Sequence, residues 1–168
     1  IIEEGLNGLK TNIDSPDKKG KNGLTFLYPC LESQKPIDII ILQLGKNNLK
    51  SKYNASSKSV AKGIEECIKV IQKEGKTRYG KIPKIILIPV LPIIEKINMH
   101  AGRMENAFVG ANKKSISLLP LYKEIAHNYK IEFIDITKFV KVSGIDGVHM
   151  TANSHRVIGT KIAELIIN

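Results

Sequence analysis

Ile37-Asp38-Ile39-Ile40-Ile41-Leu42-Gln43-Leu44, closing on Gly45, is the stretch that decides the fold. The run is short and apolar at successive positions, which is the pattern of a strand buried on both faces of a parallel sheet. Lys84-Ile85-Ile86-Leu87-Ile88-Pro89-Val90 repeats it, with Pro89 expected at the strand end because proline cannot donate to a ladder. Ile131-Glu132-Phe133-Ile134-Asp135-Ile136 reads as a short further strand, and Ile1-Ile2-Glu3-Glu4 as the tail of another. Residues 5–23, rich in Gly, Asn, Asp and Lys, read as a long loop.

Between these runs the period changes. Val60, Ile64, Cys67, Ile68 and Ile71 recur at helical spacing behind Ser56 or Ser57, either of which suits an N-cap. Helices are also expected over 24–34, disturbed by Pro29, and over 105–129, interrupted near Pro120. The last helix starts near Thr151 and is expected to bury Val157, Ile158, Ile162, Leu165 and Ile166. Strands separated by helices require right-handed crossovers, hence a three-layer α/β/α, flavodoxin-like parallel sheet. The 168 residues read as a single domain.

Hydrophobic residues make up 42% of the chain and Trp is absent, so the core should be aliphatic. The formal charge is +10, from 26 basic and 16 acidic side chains. The lysines are spread along the chain without interleaved aromatics, which reads as a solvated surface, and no nucleic-acid partner is expected. Cys30 and Cys67 are too few for a disulfide framework and read as buried free thiols. No Cys/His cluster has zinc spacing, and neither a metal nor an organic cofactor is expected. No apolar run approaches the roughly 20 residues of a membrane span. No signal peptide is visible, which favours the cytoplasm, although the sequence begins at Ile1 without a methionine. A homo-oligomer is left open.

In open α/β sheets, ligands sit beyond the carboxyl ends of the strands. That rule selects residues 5–8, 45–48, 92–102 and 144–149. In Gly144-Ile145-Asp146-Gly147-Val148-His149 an aspartate precedes a histidine by three residues, so a carboxylate can orient an imidazole general base within one stiff turn. Taken alone, the same residues are also an ordinary Gly-rich turn. Asn47, in Gly45-Lys46-Asn47-Asn48, could donate its amide to an oxyanion, or simply end a strand. Gly5-Leu6-Asn7-Gly8 could aim a backbone N–H at a ligand, or form a flexible turn. His100 falls near these turns, whereas His127 and His155 read as helix surface or filler.

Together the three turns resemble blocks two, three and five of the SGNH (GDSL) hydrolases. Gly8 matches the block-two glycine, and Glu3-Glu4-Gly5-Leu6-Asn7-Gly8 with Thr11 is similar to the small arylesterase/acyltransferase branch. Gly45-Lys46-Asn47-Asn48 matches Gly-x-Asn-Asp, and Asp146 with His149 matches Asp-x-x-His. The resemblance implies a serine ester hydrolase, or acyltransferase, acting on small acyl or acetyl esters of aryl, alkyl or sugar alcohols. His149 would be the general base and Asp146 its orienting partner. Asn47 and the Gly8 N–H would form the oxyanion hole.

The resemblance also implies a nucleophilic serine in a Gly-Asp-Ser motif at the end of a first strand. The sequence holds neither that motif nor a Gly-x-Ser-x-Gly elbow. The expectation is therefore a form truncated at its N-terminus, lacking the first strand and inactive as written. The family places that strand between those at 1–4 and 37–44. Its loss would strand backbone groups at about 1–3 kcal/mol each when buried, against a net stability of about 5–15 kcal/mol. Asn48 stands where the family has Asp, which is expected to loosen Asn47, and Leu9 and Lys10 interrupt the branch's Gly-Arg-Thr. The competing expectation is a non-catalytic protein that binds an ester, an acetylated glycan or an acidic partner.

Overall fold

The structure is a computed structural model and describes residues 1–98 and 106–167. Helix α1 (Gly23–Gln34) starts where the Asn22 side chain accepts the Leu24 N–H at 3.1 Å. It runs through Pro29, giving up one backbone bond rather than breaking. Strand β1 (Ile39–Leu42) follows, then two 3-10 turns, Lys46–Leu49 and Ser51–Tyr53. Helix α2 (Ser57–Glu74) opens with a reciprocal cap, in which the Ser56 hydroxyl accepts the Ser59 N–H and the Ser59 hydroxyl accepts the Ser56 N–H. Strand β2 (Lys84–Leu87), the single-turn α3 (Glu95–Asn98) and α4 (Ala111–Asn128) come next. A two-residue β3 (Glu132–Phe133) and α5 (Ala152–Ile167) complete the order. Helix α4 continues through Pro120 without the expected interruption.

The strands lie side by side as β1-β2-β3, all parallel, with Ile40 opposite Ile85 and Leu87 opposite Phe133. Side chains alternate between the two faces. Ile85 and Leu87 pack with α1, α2 and α4 around Val60, Ile64, Ile68 and Tyr122. Ile86 and Ile88 pack with Ile136, Val140 and Ile158 on the α5 side. The three layers expected from the period changes are therefore present. All five periodic residues of α2, Val60, Ile64, Cys67, Ile68 and Ile71, are buried.

Three further expectations are corrected. Residues 1–4 form no strand, because a strand exists only through a ladder and none of the described residues forms one with them. Strand β1 is not buried on both faces: Ile41 is 47% exposed, since one edge of the strand has no neighbour. Of the residues expected inside from α5, Ile158 is buried, Val157, Ile162 and Leu165 are partly buried, and Ile166 is 43% exposed.

The open edge explains two of these differences. Lys84 N–H donates to the Asp38 carbonyl at 2.9 Å and Ile88 N–H to that of Leu42 at 3.0 Å. Backbone direction alternates along a strand, so Ile39, Ile41 and Gln43 turn their N–H and C=O groups away from β2. They face a cleft of about 1250 Å³ that runs along β1. A cleft of that size admits water, so these groups escape the full burial cost expected above.

Candidate active site

The cleft is walled by Phe26, Leu27, Cys30 and Leu31 from α1 and by Ile162, Ala163 and Ile166 from α5. Strand β1 forms one side and residues 1–9 another. Gly8, Gly45, Asn47 and His149 also line it, the last three from turns beyond the carboxyl ends of strands. Three turns distant in sequence thus contribute to one cavity. Asp146 joins them through His149. His100 and the later part of the 92–102 stretch lie outside the described residues, and His127 and His155 sit exposed on α4 and α5.

The 143–149 turn is held by its own hydrogen bonds. Asp146 Oδ1 accepts the N–H groups of Val148 and His149, both at 2.9 Å, while Oδ2 lies 2.5 Å from His149 Nδ1. Partial burial opposes ionisation of Asp146. The bonds from the His149 ring and from the two N–H groups outweigh it and hold the carboxyl at about 2, below the usual carboxylate range. With Nδ1 occupied, Nε2 is the ring nitrogen left to exchange a proton. Gly147 adopts φ +68°, and a Cβ there would lie 2.3 Å from the Ile94 carbonyl oxygen. The Ile94 N–H donates to the Gly147 carbonyl at 2.9 Å, fastening the turn to the segment after β2.

Asn47 is set by what flanks it. Gly45 (φ +112°) turns the chain out of β1 into the Lys46–Leu49 turn, and the buried Tyr122 hydroxyl donates to the Leu44 carbonyl at 2.9 Å. One N–H of the Asn47 amide donates to the Leu9 carbonyl at 3.1 Å. An amide carries two such donors, so one remains for a ligand. The Gly8 N–H, in a turn closed by Leu9 N–H to Leu6 carbonyl at 3.1 Å, makes no hydrogen bond among the described residues.

Asn48 does not loosen this arrangement. It is fully buried; its Oδ1 accepts the Thr11 N–H at 3.0 Å and its Nδ2 donates to the Thr11 hydroxyl at 2.9 Å. The amide meets both a donor and an acceptor, a pairing that a carboxylate would satisfy only by accepting twice. Asn48 thereby ties the Gly8 loop to the Asn47 turn. Sequence reasoning missed the Thr11–Asn48 and Tyr122–Leu44 contacts, and the signal that could have suggested the first is Gly63, an unprotected glycine inside a strongly periodic helix. A Cβ on Gly63 would lie 2.3 Å from the Thr11 hydroxyl and 2.6 Å from the Asn12 side-chain oxygen. Gly63→Ala is therefore expected to lower stability by about 1–3 kcal/mol through overpacking, although alanine favours a helix by about 1 kcal/mol. A denaturant melt checks the sign.

The cleft offers little as a nucleophile. Among the described residues no serine or threonine lines it, and its two thiols are free. Burial pushes the Cys67 thiol up to about 12; burial, with Glu4 adding to it, also raises that of half-buried Cys30.

No family model and no curated protein matches the chain. Solved structures do. A carbohydrate acetylesterase from Sinorhizobium meliloti is 30% identical, with a TM-score of 0.83 over 98% of this chain and 78% of its own. The chain belongs to the SGNH hydrolase family. Another Sinorhizobium meliloti carbohydrate acetylesterase family member is 28% identical, with a TM-score of 0.88 over 98% of this chain and 77% of its own. The native aryl esterase of M. smegmatis is 27% identical, with a TM-score of 0.85 over 98% and 76%. The α/β fold with a parallel sheet is thus that of SGNH ester hydrolases. Among the described residues no helix is long and apolar enough to cross a membrane, and no cluster of three metal-ligating side chains occurs.

Proposed function

We propose that the end of the cleft beyond the carboxyl end of β1, where Gly8, Asn47 and His149 line it, is the active site of a serine ester hydrolase for small acyl or acetyl esters, in which His149 is the general base. Asp146 fixes the imidazole tautomer and stabilises the imidazolium. The free N–H of Asn47 and that of Gly8 receive the oxyanion. The observation that carries this reading is the 2.5 Å contact between His149 Nδ1 and an Asp146 carboxylate, at the lip of a cleft also lined by Asn47 and Gly8. The solved relatives carry the names aryl esterase and carbohydrate acetylesterase, which points to aryl or sugar acetates.

The nucleophile, in this proposal, enters on a strand that runs parallel to β1 and pairs with Ile39, Ile41 and Gln43. Such a strand would end beside Gly45, delivering its last residue among Asn47, Gly8 and His149. Attack on the ester carbonyl then forms an acyl-serine, the alcohol leaves with the proton from His149, and water or another alcohol takes the acyl group. The chain by itself binds the ester without turning it over.

Hydrolysis of p-nitrophenyl acetate tests the proposal. The chain alone is expected to match buffer containing an equal concentration of free imidazole. A protein joined at Ile1 to a segment whose strand ends in Gly-Asp-Ser is expected to turn over with a burst of p-nitrophenol. Equal rates from the two proteins would overturn the reading.

A further inference from the structure

A run of positive charge lies away from the cleft, in the loop that joins α2 to β2. Residues 75–84 hold Lys76, Arg78, Lys81 and Lys84 and no acidic residue. All four are exposed, and none forms an ion pair among the described residues. Glu74, just before the loop, pairs with Lys73, and Asp38 meets the loop through its carbonyl, which accepts the Lys84 N–H at 2.9 Å. The loop also holds two large apolar side chains out in water: Tyr79 is 82% exposed and Ile82 54%. Ile167, also exposed, lies at the same end of the molecule, where the Lys84 ammonium donates to the Leu165 carbonyl at 3.4 Å.

The loop is closed by its own hydrogen bonds. The Thr77 N–H donates to the Lys81 carbonyl at 2.9 Å and the Gly80 N–H to the Thr77 carbonyl at 3.0 Å. The Thr77 hydroxyl accepts the N–H groups of Tyr79 and Lys81, at 3.3 and 3.0 Å. Gly80, at φ +71°, takes the left-handed conformation that the turn requires. The N–H groups of Tyr79, Gly80 and Lys81 are thus satisfied within the loop, so its tip can leave bulk water without stranding them. A merely solvated charge run needs neither this closure nor an exposed tyrosine and isoleucine. A tyrosine suits a boundary that is apolar on one side and wet on the other, and a lysine stem covers apolar surface while its ammonium stays in water. Aliphatic side chains such as Ile82 and Ile167 find little to pack on along a nucleic-acid backbone, whose contacts are polar.

We infer that this loop docks the protein on an anionic lipid surface, with Tyr79 and Ile82 entering the headgroup region and Lys76, Arg78, Lys81 and Lys84 against the lipid phosphates. Such attachment lies on the bilayer without crossing it, and combines buried apolar area with attraction to anionic lipid. The loop precedes β2, at the amino ends of the strands, whereas Asn47 and His149 lie beyond their carboxyl ends. Docking therefore leaves the end of the cleft that holds Gly8, Asn47 and His149 facing water, where a ligand arrives from solution rather than from the bilayer. The inference stands on the loop alone and holds whether or not the cleft cleaves esters.

The test is co-sedimentation of the chain as it exists with two kinds of vesicle, one of phosphatidylglycerol and phosphatidylcholine in equal parts, the other of phosphatidylcholine alone. Binding to the anionic vesicles is expected to be at least about tenfold tighter. Lys76→Gln combined with Lys81→Gln is expected to weaken it about tenfold or more, at roughly the effect of two basic residues near such a surface. Lys18→Gln with Lys19→Gln, an equal change of charge on the exposed 5–23 loop, is expected to weaken it less than about threefold, because a lysine away from the surface is screened. Tyr79→Ser with Ile82→Ser, which leaves the net charge unchanged, is expected to weaken it about fivefold or more by removing apolar area from the contact. Duplex DNA at equal phosphate concentration is expected to leave the protein on the vesicles. Equal binding to the two vesicles, binding to neither, equal losses in the two lysine pairs, full binding by the Tyr79/Ile82 variant, or release by DNA would each overturn the inference. The vesicle comparison needs no variant, so misfolding of one cannot decide it.

Discussion

Gly45→Ala is expected to lower unfolding stability by about 3 kcal/mol or more, from backbone strain of about 1–3 kcal/mol and overpacking of similar size. Gly45 has φ +112°, a conformation that L side chains rarely adopt. The added Cβ would lie 2.3 Å from the Tyr122 hydroxyl and 2.9 Å from Val60 Cγ1. Neither atom can retreat easily, because Tyr122 and Val60 are both fully buried and the hydroxyl is tied to the Leu44 carbonyl. Relief would move the turn that presents Asn47, so ligand affinity should fall together with stability. Urea melts measure the first and calorimetric binding of an O-acetylated xylo-oligosaccharide the second. A loss below about 1 kcal/mol would mean that the turn is not held as described.

In the protein joined to a strand ending in Gly-Asp-Ser, His149→Ala is expected to lower kcat/KM for p-nitrophenyl acetate about a thousandfold or more, since a general base typically contributes 10²–10⁴-fold. Asp146→Asn should cost about a hundredfold or more by losing the charge that orients Nδ1–H. The Asp146 carboxyl is held at about 2 in the folded protein. Its folded value lies below the unfolded one, so the stabilisation it gives is present above the ordinary carboxylate range and is lost as pH falls toward 2. The Asp146–His149 contact should therefore survive mild acid. A His149→Ala protein within tenfold of its parent would remove the assigned role.

Much of the fold was legible because it depends on local period. The aliphatic runs of β1 and β2, and the spacing from Val60 to Ile71, specify their elements without reference to partners. The Asp146–His149 pair was legible for the same reason, being closed within one turn. What the sequence hid depends on neighbours. Among the described residues, Ile1-Ile2-Glu3-Glu4 has strand composition but no ladder to join, and Ile41 has core chemistry at an edge with no neighbouring strand. Asn48 looked like a weakening substitution because its partner, Thr11, lies 37 residues away. The lysines looked scattered in sequence, yet Lys10 and Lys52 lie over the same Tyr53 ring.

The most direct measurement is mass spectrometry of the joined protein after treatment with diethyl p-nitrophenyl phosphate. In the proposed arrangement a strand seated along β1 would place its serine beside His149, so one diethylphosphoryl group is expected on that serine, with labelling slowed about a thousandfold by His149→Ala. Labelling that proceeds equally without the imidazole, or that falls on Cys30 instead, would contradict the assignment.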